Sequence, residues 1–359
     1  MSLSKMLNNA TILVTGGTGS FGHTFTRMTL AKYNPKKLII YSRDEMKQWD
    51  MSQRFRGENR LRFFLGDVRD VTRLRRACQG VDYIIHAAAL KIVPLAEYNP
   101  FECIKTNVLG AMNIIDCAID AGVKRVIALS TDKACNPVNL YGAAKFCADK
   151  LFIAGNAYTG QRETRFSVVR YGNVMGSRGS IIPLFKSLAA SGEIPITDFR
   201  MTRFMITLEQ AIELVWLALE DSFGGEIYVG KIPSMKVIDI AKTIAPEAKL
   251  VEVGIRPGEK LHEQMISAED ARNTYEYENY FKIFPQISLG DRLVSIIERE
   301  DSPIRSGKRC EEGFEYSSNT NTQWMSKDEL IEWLKTHQVE ELSRRQLENM
   351  HNPAAPLFL

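Results

Sequence analysis

An apolar segment near the start of the chain, TILV at 11–14, runs directly into the glycine-rich turn TGGTGSFG at 15–22. Gly16, Gly19 and Gly22 have the spacing GxxGxxG, and a helical segment follows the turn. Glycine lets the backbone turn sharply and approach a pyrophosphate, and the amino terminus of the following helix then faces that anion. The turn therefore predicts a dinucleotide site, with a purely structural packing turn as the alternative.

Six short apolar runs recur through the first half of the chain, at 11–17, 37–42, 62–67, 81–89, 125–131 and 165–172. Near-continuous aliphatic and β-branched runs are typical of strands that are buried on both faces. Amphipathic helical segments such as 101–122 separate them. This alternation predicts an α/β fold built on a doubly wound parallel Rossmann sheet.

After residue 172 the pattern loosens, and loops that contain Gly and Pro alternate with helices such as 208–221. We predict a dinucleotide-binding Rossmann domain over 8–172, to which some later segments return. A smaller, interleaved lobe over 173–335 is predicted to bind substrate. The segment 288–312 is charged and irregular, and the tail 336–359 shows no recognisable role.

Charge and cysteine content limit the classes of partner. The net charge of +3 over 359 residues is too small to favour nucleic acid or an anionic membrane. No apolar run reaches about 18 residues, and the amino terminus does not resemble a signal peptide. The six cysteines have no metal-ligand spacing, so we expect reduced thiols, no metal and a soluble cytoplasmic protein. Cys135 is the cysteine that lies beside the predicted active site.

The end of the second predicted strand bears on the choice of cofactor. In NAD-binding proteins an acidic residue at this place accepts hydrogen bonds from the ribose. Here Arg43 follows the strand, with Lys47 one turn further on, and both suit a 2′-phosphate. Asp44 has the spacing of an NAD-type acid, so the pattern is mixed, and we predict NADP. Two solvated basic side chains are the alternative.

Tyr141 and Lys145 form a YxxxK pair on one face of a predicted helix. A nearby ammonium and a positively charged nicotinamide favour the phenolate of such a tyrosine and make it a usable base. Thr131 ends the preceding strand ten residues earlier and completes a hydroxyl–Tyr–Lys triad. These residues predict the oxidation of a substrate hydroxyl group by the nicotinamide.

Asp132 and Lys133 follow Thr131 directly. Elimination of water needs a base for a C–H proton and an acid for the departing hydroxyl, and this pair supplies both. A UDP-sugar 4-epimerase would need only the triad and the nicotinamide. A non-catalytic NADP-binding scaffold would need neither the triad nor the pair. A helix-capping acid beside an exposed lysine is the structural alternative.

Several longer motifs carry a specific resemblance. They are YSRDEMKQ, GDVRD, HAAALKIVPLAEYNP, ALSTDKACNPVNLYGAAK, RYGNVMGSRGS, ITDFRMTRF, IRPGEKLHE and EGFEYSSNTNTQW. Together with the glycine turn, they resemble the inverting UDP-N-acetylglucosamine 4,6-dehydratases of pseudaminic acid biosynthesis, within the extended short-chain dehydrogenase/reductases. The resemblance runs from about residue 8 to about 335. Retaining relatives carry Asp-Glu at 132–133, and a capsule-associated branch carries Met at 141; this chain has neither departure.

The resemblance implies a mechanism. Tyr141 takes the proton of the 4-hydroxyl of UDP-N-acetylglucosamine while NADP accepts the hydride from C4. Lys133 then removes the C5 proton, Asp132 protonates the departing 6-hydroxyl, and the hydride returns to C6 with inversion at C5. The product is a UDP-4-keto-6-deoxy-N-acetylhexosamine, which makes the chain a lyase. A homo-oligomer is expected by family analogy.

The resemblance also implies binding residues. For the cofactor they are Gly16, Gly19, Ser20, Phe21, Gly22, Arg43, Lys47, Asp67, Val68, Ala87, Ala89, Lys91, Tyr141, Lys145 and Val174. For the UDP-sugar they are Ala87, Leu129, Ser130, Asn173, Arg178, Gly179, Ser180, Thr197, Arg203, Arg256 and Glu259, with Lys260 as a further cation.

Overall fold

A central sheet dominates the computed structural model, which describes residues 2–286 and 306–337. The strands in chain order are β1 Thr11–Thr15, β2 Lys37–Ser42, β3 Leu61–Leu65, β4 Tyr83–His86, β5 Arg125–Leu129, β6 Arg165–Arg170, β7 Asn173–Val174, β8 Glu193–Ile196, β9 Thr202–Ile206, β10 Ile227–Gly230, β11 Ser234–Lys236, β12 Lys249–Glu252, β13 Gln264–Ile266, β14 Thr274–Glu276, β15 Tyr280–Ile283, β16 Lys308–Arg309 and β17 Tyr316–Ser317.

Helices cover the sheet and build the second lobe. They are α1 Leu3–Leu7, α2 Ser20–Lys32, α3 Glu45–Arg54, α4 Val71–Ala77, α5 Val93–Tyr98, α6 Pro100–Ile104, α7 Gly110–Ala121, α8 Leu140–Gly155, α9 Ile181–Leu188, α10 Leu208–Asp221, α11 Val237–Ile244 and α12 Lys327–Thr336. A π-helical turn, Lys105–Leu109, joins α6 to α7. Short 3-10 turns occur at Asp132–Ala134, Asn156–Tyr158, Ala189–Ser191 and Ala271–Asn273.

The central sheet confirms the predicted α/β Rossmann fold. Its order is β16-β14-β15-β10-β6-β5-β4-β1-β2-β3, and the pairs from β3 through β10 are all parallel. All five residues of β1 are buried, as a strand covered by helices on both faces requires. All six predicted strands form, each within the run of residues that predicted it or within one residue of it.

Segments from the second half of the chain return to this sheet. β10 pairs with β6, and β15 and β14 extend the sheet beyond β10 in antiparallel fashion. A second apolar core lies apart from the sheet and includes Ile182, Phe185, Ile196, Ile240 and Leu330. The predicted domain limits stay predictions. Of the predicted tail 336–359, only residues 336–337 lie among the described residues. Of the charged segment 288–312, residues 288–305 lie outside them.

The parallel strands place the predicted site residues at one edge. β1 ends before the glycine turn, β2 before Arg43, β4 before Ala87 and β5 before Ser130. Carboxyl ends of parallel strands meet at the same edge of a sheet, where open α/β folds bind ligands. The topology therefore brings together residues that lie more than a hundred positions apart.

Candidate active site

The glycine turn fits closely around its own backbone. Gly16 has a φ of +64°, and a Cβ there would lie 2.8 Å from the backbone nitrogen of Ala88. A Cβ on Gly22 would lie 2.1 Å from the carbonyl oxygen of Gly17. Gly19 precedes α2 and offers no capping side chain, so the first N–H groups of α2 are open to an anion. This cradle fits the pyrophosphate of a dinucleotide.

At the end of β2, Asp44 is already engaged. Its carboxylate caps α3 by accepting a hydrogen bond from the backbone N–H of Lys47 at 3.0 Å, and it pairs with the Lys47 ammonium at 3.0 Å. The backbone and side-chain hydrogen bonds from Lys47 lower the pKa of Asp44. The Arg43 side chain is 55% exposed and only loosely paired, 3.9 Å from Asp67. Of the adjacent side chains of Arg43 and Asp44, that of Arg43 is thus the more available to a ligand.

Asp67 and Val68 follow β3. The carboxylate of Asp67 accepts hydrogen bonds from the guanidinium of Arg69, the shorter at 2.7 Å. Burial acts to raise the pKa of Asp67, but the hydrogen bonds from Arg69 outweigh it and lower the pKa. Val68 is buried, and its carbonyl accepts a hydrogen bond from the amide of Asn113 at 2.9 Å. These contacts fix the edge of the site at which Asp67 and Val68 were predicted to bind the cofactor.

The loop after β4 contains Ala87 and Ala89, which were predicted to bind the cofactor. Asn107, in the π-helical turn, clamps this loop: its amide group accepts a hydrogen bond from the Leu90 N–H at 2.8 Å and donates one to the Leu90 carbonyl at 2.9 Å. Further along, the Lys91 ammonium donates to the carbonyl of Arg178 at 2.8 Å. The loop therefore links the dinucleotide side to the 176–180 loop.

Tyr141 and Lys145 lie in the first turns of α8, which Asn139 caps by accepting the N–H of Gly142 at 2.8 Å. Both side chains are buried. Burial raises the pKa of Tyr141 to about 12, although the charge of Lys133 and a hydrogen bond with Thr131 act in the opposite direction. Burial also lowers the pKa of Lys145. In the protein alone, the phenol is therefore protonated at neutral pH.

Asp132 and Lys133 lie in a 3-10 turn directly after β5, with Thr131 as its amino-terminal cap. Oδ1 of Asp132 accepts hydrogen bonds from the hydroxyl of Thr131 at 2.9 Å and from the ammonium of Lys133 at 3.0 Å. Oδ2 of Asp132 is buried and has no partner among the described residues. Burial raises the pKa of Asp132. A buried, protonatable carboxyl next to an amine can act as an acid–base pair.

A second carboxylate meets Lys133. Oε1 of Glu263 lies 3.2 Å from the Lys133 ammonium and 3.7 Å from Nε of Arg203. Burial acts to lower the pKa of Lys133, but Asp132 and Glu263 outweigh it and hold the pKa above its usual value. Lys133 is therefore charged in the protein alone.

A family model described as "Polysaccharide biosynthesis protein" matches residues 12–285. A relative in Campylobacter jejuni subsp. jejuni serotype O:23/36 (strain 81-176), "UDP-N-acetylglucosamine 4,6-dehydratase (inverting)", is 55% identical over 91% of this chain and 98% of its own. The chain belongs to the polysaccharide biosynthesis protein family. The predicted family resemblance is thereby confirmed.

More distant members and neighbours share the fold. A "UDP-glucose 4-epimerase" of Rickettsia akari is 42% identical over 77% of this chain and 84% of its own. The X-ray structure of Pen from Bacillus thuringiensis covers 92% of this chain and 100% of its own at 34% identity, with a TM-score of 0.81. DesIV, a dTDP-glucose 4,6-dehydratase from Streptomyces venezuelae with NAD and TYD bound, is 25% identical over 79% of this chain and 95% of its own, with a TM-score of 0.65.

In this family member, some of the predicted substrate residues are committed to internal contacts. The guanidinium of Arg203 donates to three backbone carbonyls, those of Thr202, Leu261 and Lys260, at 2.7 to 3.1 Å. Ser130 donates its hydroxyl to Asp149 at 2.7 Å. Their direct contact with a substrate stays a prediction, and their present contacts shape the site.

Other predicted substrate residues are more open. Arg256 is exposed, and Gly179 has a φ of +74° with no atom within 4 Å of the place that a Cβ would take. Oε2 of Glu259 and the hydroxyl of Ser180 are buried without a partner among the described residues. The ammonium of Lys260 donates to the carbonyl of Cys135 at 2.5 Å. Leu129 is buried at the end of β5, and Asn173 and Thr197 are half-buried, as is Val174, which was predicted to bind the cofactor.

Sequence reasoning missed Glu263 and Asn107. Glu263 is the last residue of the motif IRPGEKLHE, so the motif was recognised without the role of its final carboxylate. Asn107 lies within the amphipathic segment 101–122, where a polar residue on a buried face was the available clue. Within 2–286 and 306–337, no group of three or more His, Cys, Asp or Glu side chains could hold a metal ion. The helices of the same residues include none with the length and apolar character of a membrane span.

Proposed function

We propose that this protein dehydrates UDP-N-acetylglucosamine to a UDP-4-keto-6-deoxy-N-acetylhexosamine with inversion at C5. The observation that carries the proposal is the pair formed by the buried Asp132 and the half-buried Lys133, 3.0 Å apart, beside Tyr141. Relatives that are 54–55% identical over 91% of the chain bear the name of this activity. A dehydratase that works through a 4-keto sugar needs such a pair in addition to the groups that oxidise the alcohol.

Each side chain has one task in the proposed reaction. A nicotinamide dinucleotide, held at the glycine turn, would supply the acceptor for the hydride from C4 of the sugar and the donor for its return to C6. Tyr141 takes the proton of the 4-hydroxyl, and the positive charge of Lys145 favours its phenolate. Lys133 takes the C5 proton, which the neighbouring ketone has acidified. Asp132 protonates the departing 6-hydroxyl, so that water leaves. As the hydride returns to C6, a proton that comes from solvent enters C5 on the opposite face.

We further propose that the dinucleotide is NADP. Asp44 caps α3 and pairs with Lys47, so its carboxylate is already occupied. Arg43 is the exposed residue directly after β2, and a guanidinium suits a 2′-phosphate through paired hydrogen bonds. Lys47 supplies a second positive charge nearby, once the phosphate competes with Asp44 for it.

The 4-epimerase alternative has a specific basis, since relatives with that name are 42% identical over 77% of the chain. An epimerase returns the hydride to C4 and needs no acid for a hydroxyl at C6. Burying Asp132 beside Lys133 is costly unless the two charges are used or fully paired. The dehydratase accounts for this pair, and the epimerase and the non-catalytic scaffold do not.

A homo-oligomer is part of the proposal. The surface of α5, α6 and the π-helical turn exposes Leu95, Tyr98, Phe101, Ile104 and Leu109, with Phe101 77% exposed. Several exposed apolar side chains on consecutive helical segments favour an interaction site, and a second copy of the same surface would cover it. A cytoplasmic location and a place in pseudaminic acid biosynthesis rest on the family resemblance alone.

Proton NMR of the purified protein with UDP-N-acetylglucosamine tests the function. A new sugar methyl signal is expected, with the L-arabino configuration in the first product and one solvent deuterium at C5 in heavy water. A C4 epimer without a methyl signal would establish the epimerase instead. A first product of D-xylo configuration would contradict inversion. An unchanged substrate would favour the non-catalytic NADP-binding scaffold.

A further inference from the structure

Glu263 is a buried carboxylate that the proposed steps leave unused. It is 2% exposed and lies immediately before β13. Its backbone is fixed on both sides, since its N–H donates to the hydroxyl of Ser318 at 2.9 Å and its carbonyl accepts from the Ser318 N–H at 2.8 Å. The side chain is thus presented to Lys133 from a rigid segment more than a hundred residues away in the chain.

One ammonium therefore serves two carboxylates. Lys133 lies 3.0 Å from Asp132 and 3.2 Å from Glu263. Oδ2 of Asp132 and Oε2 of Glu263 are both buried without a partner among the described residues. Two carboxylates in one desolvated site do not hold their protons equally, because each negative charge discourages the other from ionising.

The surroundings separate the two carboxylates. Arg203 lies 3.7 Å from Glu263. Burial acts to raise the pKa of Glu263, but the charges of Lys133, Arg203 and Lys260 outweigh it and lower the pKa. Asp132 has Lys133 as its cation, and burial together with the negative charge of Glu263 raises its pKa. Glu263 is therefore the carboxylate that stays ionised.

We propose that Glu263 is a positioning residue for the elimination step, which holds the Lys133 ammonium and, by its fixed negative charge, makes Asp132 the carboxyl that carries the proton. This rests on the proposed dehydratase function. The Lys133 ammonium passes one proton to the Asp132 carboxylate, which gives a neutral amine and a carboxylic acid. The amine then takes the C5 proton and the acid gives its proton to the 6-hydroxyl, so water leaves and the ion pair is restored.

The titratable and charged groups that face Lys133 decide at which pH the proton shared by Asp132 and Lys133 is lost. They are Asp132 on its own turn, Glu263 before β13, Arg203 on β9, Tyr141 on α8 and Lys91 after β4. Of these, Glu263 and Asp132 are the negative ones. Removing the charge of Glu263 should therefore release the proton shared by Asp132 and Lys133 at lower pH.

The test is a single turnover of the NADP-loaded enzyme with UDP-N-acetylglucosamine, followed by NADPH absorbance across pH. The absorbance rises with C4 oxidation and decays as elimination lets the hydride return. In Glu263→Gln we expect the rise to persist and the alkaline fall of the decay rate to move down by about one pH unit or more, so that the decay is slowed only where the wild type still has its full rate above neutral pH. Glu263→Asp keeps the charge and should keep the wild-type alkaline midpoint.

A matched control makes the same chemical change elsewhere. Glu226 is also buried, accepts hydrogen bonds from Ser167 and from backbone N–H groups, and lies just before β10 at the opposite end of the strands. Glu226→Gln should keep the wild-type pH dependence of the NADPH decay, because that dependence is set by groups in the active site. A decay in Glu263→Gln that is slower at every pH but has the wild-type midpoint would overturn the proposal, since a structural role predicts that result.

Chemical rescue keeps the proposal testable if the amide variant does not fold. In Glu263→Ala, added formate should restore the decay of NADPH, whereas formamide, which has the same shape without the charge, should not. Equal rescue by both, or by neither in a folded variant, would contradict a role for the charge. Failure of the proposed function is a separate result, because the wild type itself would then form no methyl-bearing product, whether or not NADPH appears.

Discussion

The ammonium of Lys133 lies 3.0 Å from Oδ1 of Asp132, although consecutive residues in a strand would point to opposite faces. The 3-10 turn directly after β5 makes this contact possible. It gives the site an acid and a base at adjacent positions, and it leaves Lys133 charged until the proton moves. The first prediction follows from this contact.

Lys133→Met should separate oxidation from elimination. Methionine keeps much of the length of the side chain and has no basic nitrogen, so nothing takes the C5 proton. We expect bound NADPH to accumulate after mixing with UDP-N-acetylglucosamine, visible as near-ultraviolet absorbance, with no methyl signal by NMR. Lys133→Arg, which keeps a permanent charge, should stall at the same step. Release of 4-keto-6-deoxy product by either variant at close to the wild-type rate would exclude Lys133 as the base.

Tyr141→Phe should remove the base for the 4-hydroxyl and keep the ring that packs in the site. Turnover should fall about 100-fold or more, while calorimetry should show dinucleotide and substrate binding close to that of the wild type. The lost step is oxidation, so in contrast to Lys133→Met no NADPH should build up. Near-normal turnover would mean that another group receives the hydroxyl proton.

The rate of C4 oxidation should rise with pH. Burial raises the pKa of Tyr141 to about 12 in the protein alone, so the phenolate is scarce at neutral pH and each step up in pH makes more of it. Measured as NADPH formation in Lys133→Met, the rate should increase between about pH 6 and 9. The charge of Lys133 favours the phenolate, so its loss in this variant raises the pKa of Tyr141 further, as burial does. A rate that does not change over this range would argue against Tyr141 as the base.

Arg43→Ala should weaken NADP binding and leave NAD binding nearly unchanged. A hydrogen-bonded ion pair with a phosphate contributes about 1.5–3 kcal/mol, so calorimetry should show about a 10- to 100-fold loss for NADP. Arg54→Ala removes an exposed charge from the far end of α3 and serves as the control. Equal affinity of the wild type for NAD and NADP would contradict the choice of cofactor.

Gly22→Ala should disrupt the glycine turn. The added Cβ would lie 2.1 Å from the carbonyl oxygen of Gly17, so the turn must open and the first N–H groups of α2 must shift. We expect loss of dinucleotide binding and a lower melting temperature. Gly80→Ala is the control: Gly80 has a φ of +67° but no atom within 4 Å of an added Cβ, so the change should cost about 1 kcal/mol of stability and keep binding. Normal binding by Gly22→Ala would show that the turn is only a packing feature.

The sequence alone determined the parallel sheet and its first six strands, because fully buried strands read as continuous apolar runs whose pattern is local. It also determined that Thr131, Asp132, Lys133, Tyr141 and Lys145 lie near one another, since they follow a single strand and its helix. These features depend on short stretches of chain, which residue type and spacing describe well.

Only the tertiary structure decided which charges act together. Glu263 reaches Lys133 from a segment 130 positions later in the chain, at 3.2 Å, and Asp44 is taken out of competition by its cap on α3. The state of Lys133 depends on the balance between burial and two carboxylates, and both effects arise from packing between distant segments. Electrostatic energies in a desolvated site change steeply over a few ångströms, and distances of that kind are fixed by the fold and not by spacing along the chain.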